Sequence, residues 1–177
     1  MERDIQSILM DQDEILAKVA EVGEQISRDF EGKNPVFVGV LKGCFIFMAD
    51  LMRNVTVNCS VDFMAVSSYS GTSSTGAVKI NKDLSENIEG RHVIIVEDIL
   101  DSGITLSYLK QYLMVRKPAS ISIVTLMDKP ARRKADVYAN YSCFEIPDAF
   151  VVGYGLDYNE YYRNLPYIGV LKPEIYS

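Results

Sequence analysis

The stretch H-V-I-I-V-E-D-I-L-D-S-G-I-T-L, from His92 to Leu106, decides how the rest of the chain is read. Val93 to Val96 make a short, continuous apolar run of mostly β-branched residues, as a parallel strand buried on both faces does. Glu97 and Asp98 stand at its end, followed by Asp101-Ser102-Gly103-Ile104-Thr105 and the helix-compatible Leu106, Leu109 and Leu113. A strand, a polar loop and a helix start put ligand chemistry at the carboxyl end of the strand, where open α/β sheets keep it. The small residues, hydroxyls and free N–H groups of such a loop suit a phosphate. Two acids after a buried strand also describe an ordinary solvated turn. The added D-S-G-x-T at this offset favours a binding site.

The bulk numbers bound the answer. A chain of 177 residues is within the size of one domain and long enough to bury a core. A composition 48% hydrophobic and 24% charged is that of a globular protein, which argues against disorder. The formal charge of −6 offers no general attraction for nucleic acid. A polyanionic substrate would therefore need local cations or a metal ion. Cys44, Cys59 and Cys143 are odd in number and lack the spacing of a disulfide or zinc framework, so buried thiols are expected. No basic segment followed by an apolar core opens the chain. The most membrane-like stretch, Val36 to Met52, carries Lys42 near its middle, which costs about 2.5–3.5 kcal/mol in a bilayer. A cytoplasmic protein with no membrane and no nucleic-acid partner is expected.

Along the chain, Asp11 and Glu14 have the spacing of a capping box. Behind them Ile15, Val19, Val22, Ile26 and Phe30 repeat at helical intervals, and Gly32 stops the helix. The first ten residues read equally as a short strand or a frayed start. V-F-V-G-V-L after Pro35 reads as a central strand ending at Lys42-Gly43, and C-F-I-F-M-A-D-L-M as a buried helix with Phe45, Met48, Ala49 and Met52 on one side. A lysine between a buried strand and a buried helix either snorkels to solvent or faces a cleft. Val55 to Val66 reads as a strand. Residues 67–76, S-S-Y-S-G-T-S-S-T-G, cannot pack a core and read as a mobile loop, either an idle hairpin tip or a lid over substrate, with a return strand at Val78 to Asn81.

After the central motif, Thr105 to Arg116 is helical and Pro118 ends it. Ile121 to Met127 is a buried strand closed by Asp128-Lys129-Pro130. Arg132, Arg133 and Lys134 read as a solvated basic face, whereas Lys129 is the first cation past a strand end. Val137 to Tyr141 suggests an edge strand, and Val151 to Gly153 the last one. Strands alternating with helices over 35–127 indicate a mostly parallel α/β sheet flanked by helices. One domain over residues 1–177 is expected, its core at about 35–141 and a small cap formed by the N-terminal segment and about 142–177.

Competing motifs fail. No G-x-x-x-x-G-K-[ST] occurs, and Gly153-Tyr-Gly155 lacks a third glycine. His92 is the only histidine, which leaves no His-based triad or multi-histidine metal site. It reads as structural.

Val93 to Thr105 resembles the phosphoribosyl-diphosphate signature of type I phosphoribosyltransferases: apolar strand, two acids, then D-[ST]-G-x-T. Four further segments agree in order and spacing: Leu41-Lys42-Gly43, Ser68-Tyr69, Asp128-Lys129-Pro130 and Phe150 to Arg163. Together they resemble the hypoxanthine-guanine phosphoribosyltransferases over most of the chain. The last segment, F-V-V-G-Y-G-L-D-Y-N-E-Y-Y-R, sets them apart from orotate or uracil enzymes.

The resemblance implies phosphoribosyl transfer to N9 of hypoxanthine or guanine, with magnesium as cofactor and a homodimer or homotetramer as the assembly. Glu97 and Asp98 would serve the ribose diol directly or through the metal, with Asp157 as a further metal neighbour near the purine 2-substituent. Asp101 would accept the purine proton. Ser102, Gly103, Ile104 and Thr105 would form the 5′-phosphate loop. Lys42, Gly43, Ser68, Tyr69 and Arg163 would contact pyrophosphate, the arginine as a fork. Lys129 has only donors to offer, so it would bond a purine 6-oxygen and refuse a 6-amino group. Phe150 would stack on the base and the Val151 backbone would read its far edge. The family often has a non-proline cis peptide at the L-K-G loop. Ala149 replaces a lysine of some members, Ser102 a threonine, and Ile104 a lysine. A xanthine-preferring enzyme and a nucleotide-sensing regulator on the same fold are the competing readings.

Overall fold

The structure is a computed structural model and describes residues 1–68 and 78–177. Its centre is a six-stranded sheet built from β2 (Val36–Leu41), β3 (Ser60–Ser68), β4 (Val78–Lys82), β5 (His92–Leu100), β6 (Ser120–Asp128) and β7 (Tyr141–Glu145), in the order β4-β3-β2-β5-β6-β7. All neighbours are parallel except the antiparallel pair β3 and β4. The mostly parallel sheet expected from the strand–helix alternation is therefore present.

Both faces of the sheet are covered, which is why its central strands read as unbroken apolar runs. On one face Phe37, Ile94, Val96, Val124 and Leu126 meet the helices α1 (Gln12–Asp29) and α2 (Phe45–Arg53). On the other, Val36, Val38, Val93, Ile95 and Ile123 meet α3 (Ile104–Met114) through Leu106, Leu109 and Leu113. Helix α1 opens on the expected capping box, with Glu14 N–H on the Asp11 carboxylate and Asp11 N–H on Glu14, each at 2.9 Å. Its Ile15, Val19 and Ile26 are fully buried. Each contributes about 1.5–3 kcal/mol before the chain entropy is counted.

Several boundaries differ from the sequence reading. The buried stripe of α2 and its cap is Cys44, Phe47, Met48 and Leu51; Phe45 faces outward. That stripe keeps helical spacing one residue out of step with the expected one, with Met48 and Cys44 seated against Gly39 of β2, where a Cβ would meet their sulfurs at 2.4 and 3.0 Å. Residues 55–59 are not strand, because β3 pairs with β2 only from Ser60 opposite Val36; before that the chain is tied to α1 instead, with Thr56 N–H on Ser27 Oγ at 3.0 Å. The edge strand is Tyr141–Glu145 rather than 137–141, so the large sheet extends past residue 141. Val137 instead accepts Arg133 Nη1 at 2.8 Å and packs in the core, while Asn140 receives Ile123 N–H at 2.9 Å. Strand β5 runs through Glu97 and Asp98 to Leu100, because β6 continues beside it and pairs Ile99 with Met127.

The terminal segments make a second, three-stranded sheet of β1 (Ile5–Met10), β8 (Val151–Val152) and β9 (Ile168–Leu171), in the order β1-β9-β8. The first ten residues are thus a 3-10 turn followed by a strand. Gly153 lies outside β8, in an isolated bridge with Leu156. Strand β9 and the short helix α4 (Pro173–Tyr176) carried no assignment from the sequence. Among the described residues no helix is long and apolar enough to cross a membrane.

Candidate active site

The site lies at the carboxyl ends of β2, β5 and β6. After β5 the chain turns through Asp101-Ser102-Gly103 into α3. Gly103 is the residue before the helix, at φ +79°, a left-handed conformation costly for any residue with a Cβ. Arg133 braces this loop from behind: its Nε donates to Asp101 O at 3.1 Å, its Nη1 to Val137 O, and its Nη2 to Asp128. Lys134 N–H adds a bond to Ser102 O at 2.8 Å. The expected solvated basic face is therefore partly a brace under the Asp101–Gly103 loop.

In front of the loop opens a cleft of about 270 Å³ lined by Leu41, Glu97, Asp98, Asp101, Ser102, Gly103 and Thr105. Ile104 is exposed and is absent from the lining; its contribution is a backbone N–H, 3.4 Å from Ser102 Oγ. Burial, and then the charge of Asp98, push the Glu97 carboxyl well up; burial also raises that of Asp98. The two half-buried acids stand side by side and repel each other. Burial followed by these two acids raises the Cys44 thiol to about 12, so it is no nucleophile.

The Leu41-Lys42 peptide is cis. Lys42 Nζ sits 2.8 Å from Glu160 Oε2, and Arg163 Nη2 lies 3.4 Å from Glu160 Oε1 and 3.2 Å from Asp157 Oδ1. Arg163 Nη1 donates to Gly155 O at 2.7 Å, while its buried Nε has no hydrogen-bond partner among the described residues. Arg163 also stands near enough to Asp98 to lower its pKa, against the effect of burial. Ser68 is exposed at the end of β3, and Tyr69 with most of the expected lid lies outside the described residues.

A second cavity, of about 180 Å³, adjoins the first and shares Ile99 and Asp101 with it; Lys129, Arg132, Phe150, Val151 and Leu156 complete its lining. Lys129 is only 6% exposed, with its N–H on Leu100 O at 2.9 Å and its Nζ 3.9 Å from Asp148. Asp101 Oδ1 is buried and takes no hydrogen bond among the described residues; Arg132 Nε stands 3.4 Å away. Arg132 also reaches Asp148, at 3.3 Å. Arg132 and Glu160 thus join the site although the sequence reading left them out. Arg132 had one signal, its place just beyond the Asp128-Lys129-Pro130 strand end. His92 is structural as expected, its Nδ1 2.7 Å from Ser120 Oγ.

Among the described residues no three His, Cys, Asp or Glu side chains converge as a metal cage. Asp157 is turned to Arg163 and to Glu160 N–H, at 2.8 Å. The carboxylates of Glu97 and Asp98 still fit a hard divalent ion, since magnesium is commonly held by one or two carboxylates plus substrate oxygens.

Fold and cleft define a type I phosphoribosyltransferase, and the chain belongs to that family: the phosphoribosyl transferase domain matches residues 6–159. Its similarity is to the hypoxanthine-guanine members. The hypoxanthine-guanine phosphoribosyltransferase of Streptococcus pyogenes serotype M3 is 53% identical over 178 residues, covering 100% of this chain and 99% of that one. The bifunctional protein TilS/HprT of Listeria monocytogenes is 54% identical, but this chain spans only 28% of its length. A crystal structure of a hypoxanthine phosphoribosyltransferase from Staphylococcus aureus has a TM-score of 0.97 at 53% identity, covering 100% of this chain and 97% of that one.

Proposed function

We propose that this chain transfers the 5-phosphoribosyl group of phosphoribosyl diphosphate to N9 of hypoxanthine or guanine, giving the nucleotide and pyrophosphate. One observation carries the reading: a phosphate-type cleft and a pocket that pairs apolar walls with a buried lysine meet at Ile99 and Asp101. A base in the second pocket and a sugar phosphate in the first would touch where the new bond forms.

In this reading the Ser102–Thr105 loop holds the 5′-phosphate at the start of α3. Glu97 and Asp98 take the ribose hydroxyls, and their field favours the positive charge that builds on the sugar as the bond to pyrophosphate breaks. Magnesium, when bound with phosphoribosyl diphosphate, supplies neutralisation of the diphosphate charge. Lys42, Gly43, Ser68, Tyr69 and Arg163 receive the leaving pyrophosphate, the two cations leaving Glu160 to do so. Lys129 donates to the purine 6-oxygen, Phe150 stacks on the ring, and the Val151 backbone and Asp157 face the 2-position. Asp101, whose Oδ1 at the junction takes no hydrogen bond among the described residues and only an ion pair from Arg132, accepts the purine proton.

We place the enzyme in the cytoplasm as a homodimer or homotetramer; exposed Met114 and Val115 at the end of α3 support an assembly. Sedimentation would measure its size. The deciding experiment mixes the protein with magnesium, phosphoribosyl diphosphate and hypoxanthine, guanine, xanthine or adenine in turn. Pyrophosphate release with hypoxanthine or guanine is expected. Release with xanthine alone, or none at all, would overturn the reading.

A further inference from the structure

We infer that Tyr176 is a positioning residue for the purine, stacked on the outer face of Phe150 so that this ring forms a fixed wall of the base pocket. The inference rests on the reading of the second cavity as the base site. Phe150 is 38% exposed, follows the small Ala149, and stands at the edge of an open pocket. A ring in that setting has rotamer freedom to lose when a base stacks on it.

Two aromatic contacts remove that freedom beforehand. Tyr176 lies on Phe150 with ring centroids 4.6 Å apart and planes 16° from parallel. Tyr158 meets Phe150 edge-on at 5.6 Å and 84°. Phe150 lines the base cavity and Tyr176 does not, the arrangement that a ring on the outer face of Phe150 would give. A purine entering the cavity would extend a stack that already exists.

The placement of Tyr176 is determined by the chain around it. Leu171 N–H donates to Phe150 O at 2.9 Å, so the strand that leads into α4 is tied to the residue whose ring is covered. Lys172 N–H then bonds Asp4 O at 2.9 Å, and Lys172 Nζ bonds Arg3 O at 2.6 Å. Ile175 packs against the small cluster of Val152, Tyr162, Leu165 and Leu171, which docks one side of α4. Tyr176 itself belongs to none of the three apolar clusters and is 37% exposed. A tyrosine serving only to fill the core would sit inside one of them.

The test compares Tyr176→Ala, Tyr176→Leu and Tyr176→Phe by steady-state kinetics, with KM for hypoxanthine and for phosphoribosyl diphosphate measured separately. The alanine and leucine variants should raise the hypoxanthine KM by about three- to ten-fold, the worth of one aromatic pair. The phosphoribosyl diphosphate KM and kcat should stay within about twofold, and phenylalanine should restore the wild-type value. Leucine keeps apolar cover without a stacking ring, so it carries the test should the alanine variant fail to fold. An unchanged hypoxanthine KM in the leucine variant, an equal rise for both substrates, or no rescue by phenylalanine would overturn the inference. Phe150→Ala separates the two levels. A raised hypoxanthine KM there with none in the Tyr176 variants overturns the role of Tyr176 alone, whereas no effect in Phe150→Ala overturns the base-site reading beneath it.

Discussion

Gly43 lies directly against the carboxylate of Asp98: a Cβ built on that glycine would stand 1.9 Å from Asp98 Oδ2. The backbone of the turn after β2 is thereby brought against the side chain at the acidic end of β5. This contact joins the loop proposed for pyrophosphate to the acids proposed for the ribose. It leaves no room for even a methyl group between them.

Gly43→Ala should therefore injure turnover far more than folding. Either Asp98 moves or the Lys42 turn does, and a displacement of about 1 Å in such a site can lower kcat/KM by about 10²-fold. Steady-state rates set beside a thermal melt would check this. Wild-type kcat/KM in the variant would contradict the contact.

Asp101→Asn keeps the size and shape of the side chain and removes its ability to take a proton. The expected loss in kcat is about 10²- to 10⁴-fold with the melting temperature little changed. Near-normal turnover would end the assignment of Asp101 as proton acceptor.

Lys129→Ala removes a buried cation from the base pocket. A hydrogen bond to a charged group contributes about 1.5–3 kcal/mol, which corresponds to about a 10- to 100-fold rise in KM for a 6-oxopurine. The KM for phosphoribosyl diphosphate should move much less, and discrimination against adenine should weaken. Equal losses for both substrates would contradict the pairing.

Asp83 predicts an acid-dependent stability remote from the chemistry. Burial alone would raise its carboxyl, but bonds from Arg116, Tyr112 and Leu84 N–H outweigh that effect and hold it down to about 2. A depressed folded-state pKa stabilises the fold above the unfolded carboxyl value, and the gain is lost as pH falls through about 4 towards about 2. The group is partly exposed, so screening limits the contribution to at most about 1 kcal/mol. Asp83→Asn should flatten the fall in denaturation midpoint over that range. An identical pH slope in the two proteins would refute it.

Local chemistry alone determined a good deal of this protein. The capping box at Asp11 and Glu14, the doubly buried runs of β2, β5 and β6, and the D-S-G-x-T turn are written in neighbouring residues. Their physics is short-range: cap hydrogen bonds, hydrophobic period, and the glycine needed at positive φ. The parallel α/β fold and the loop proposed for phosphate followed from them, and the resemblance extended the proposed site to Lys129 and Phe150. Only the tertiary structure decided what depends on partners distant in the chain. Strand β7 begins at Tyr141 because Val137 is held by Arg133, and β9 exists because β1 and β8 offer it edges on both sides. Arg132 reads as a surface cation until the fold sets it beside Asp101. Glu160 carries no role in the sequence until the fold brings it to Lys42, 118 residues away. Tyr176 had no meaning in the sequence, because nothing in its own neighbourhood says that α4 returns to lie over Phe150.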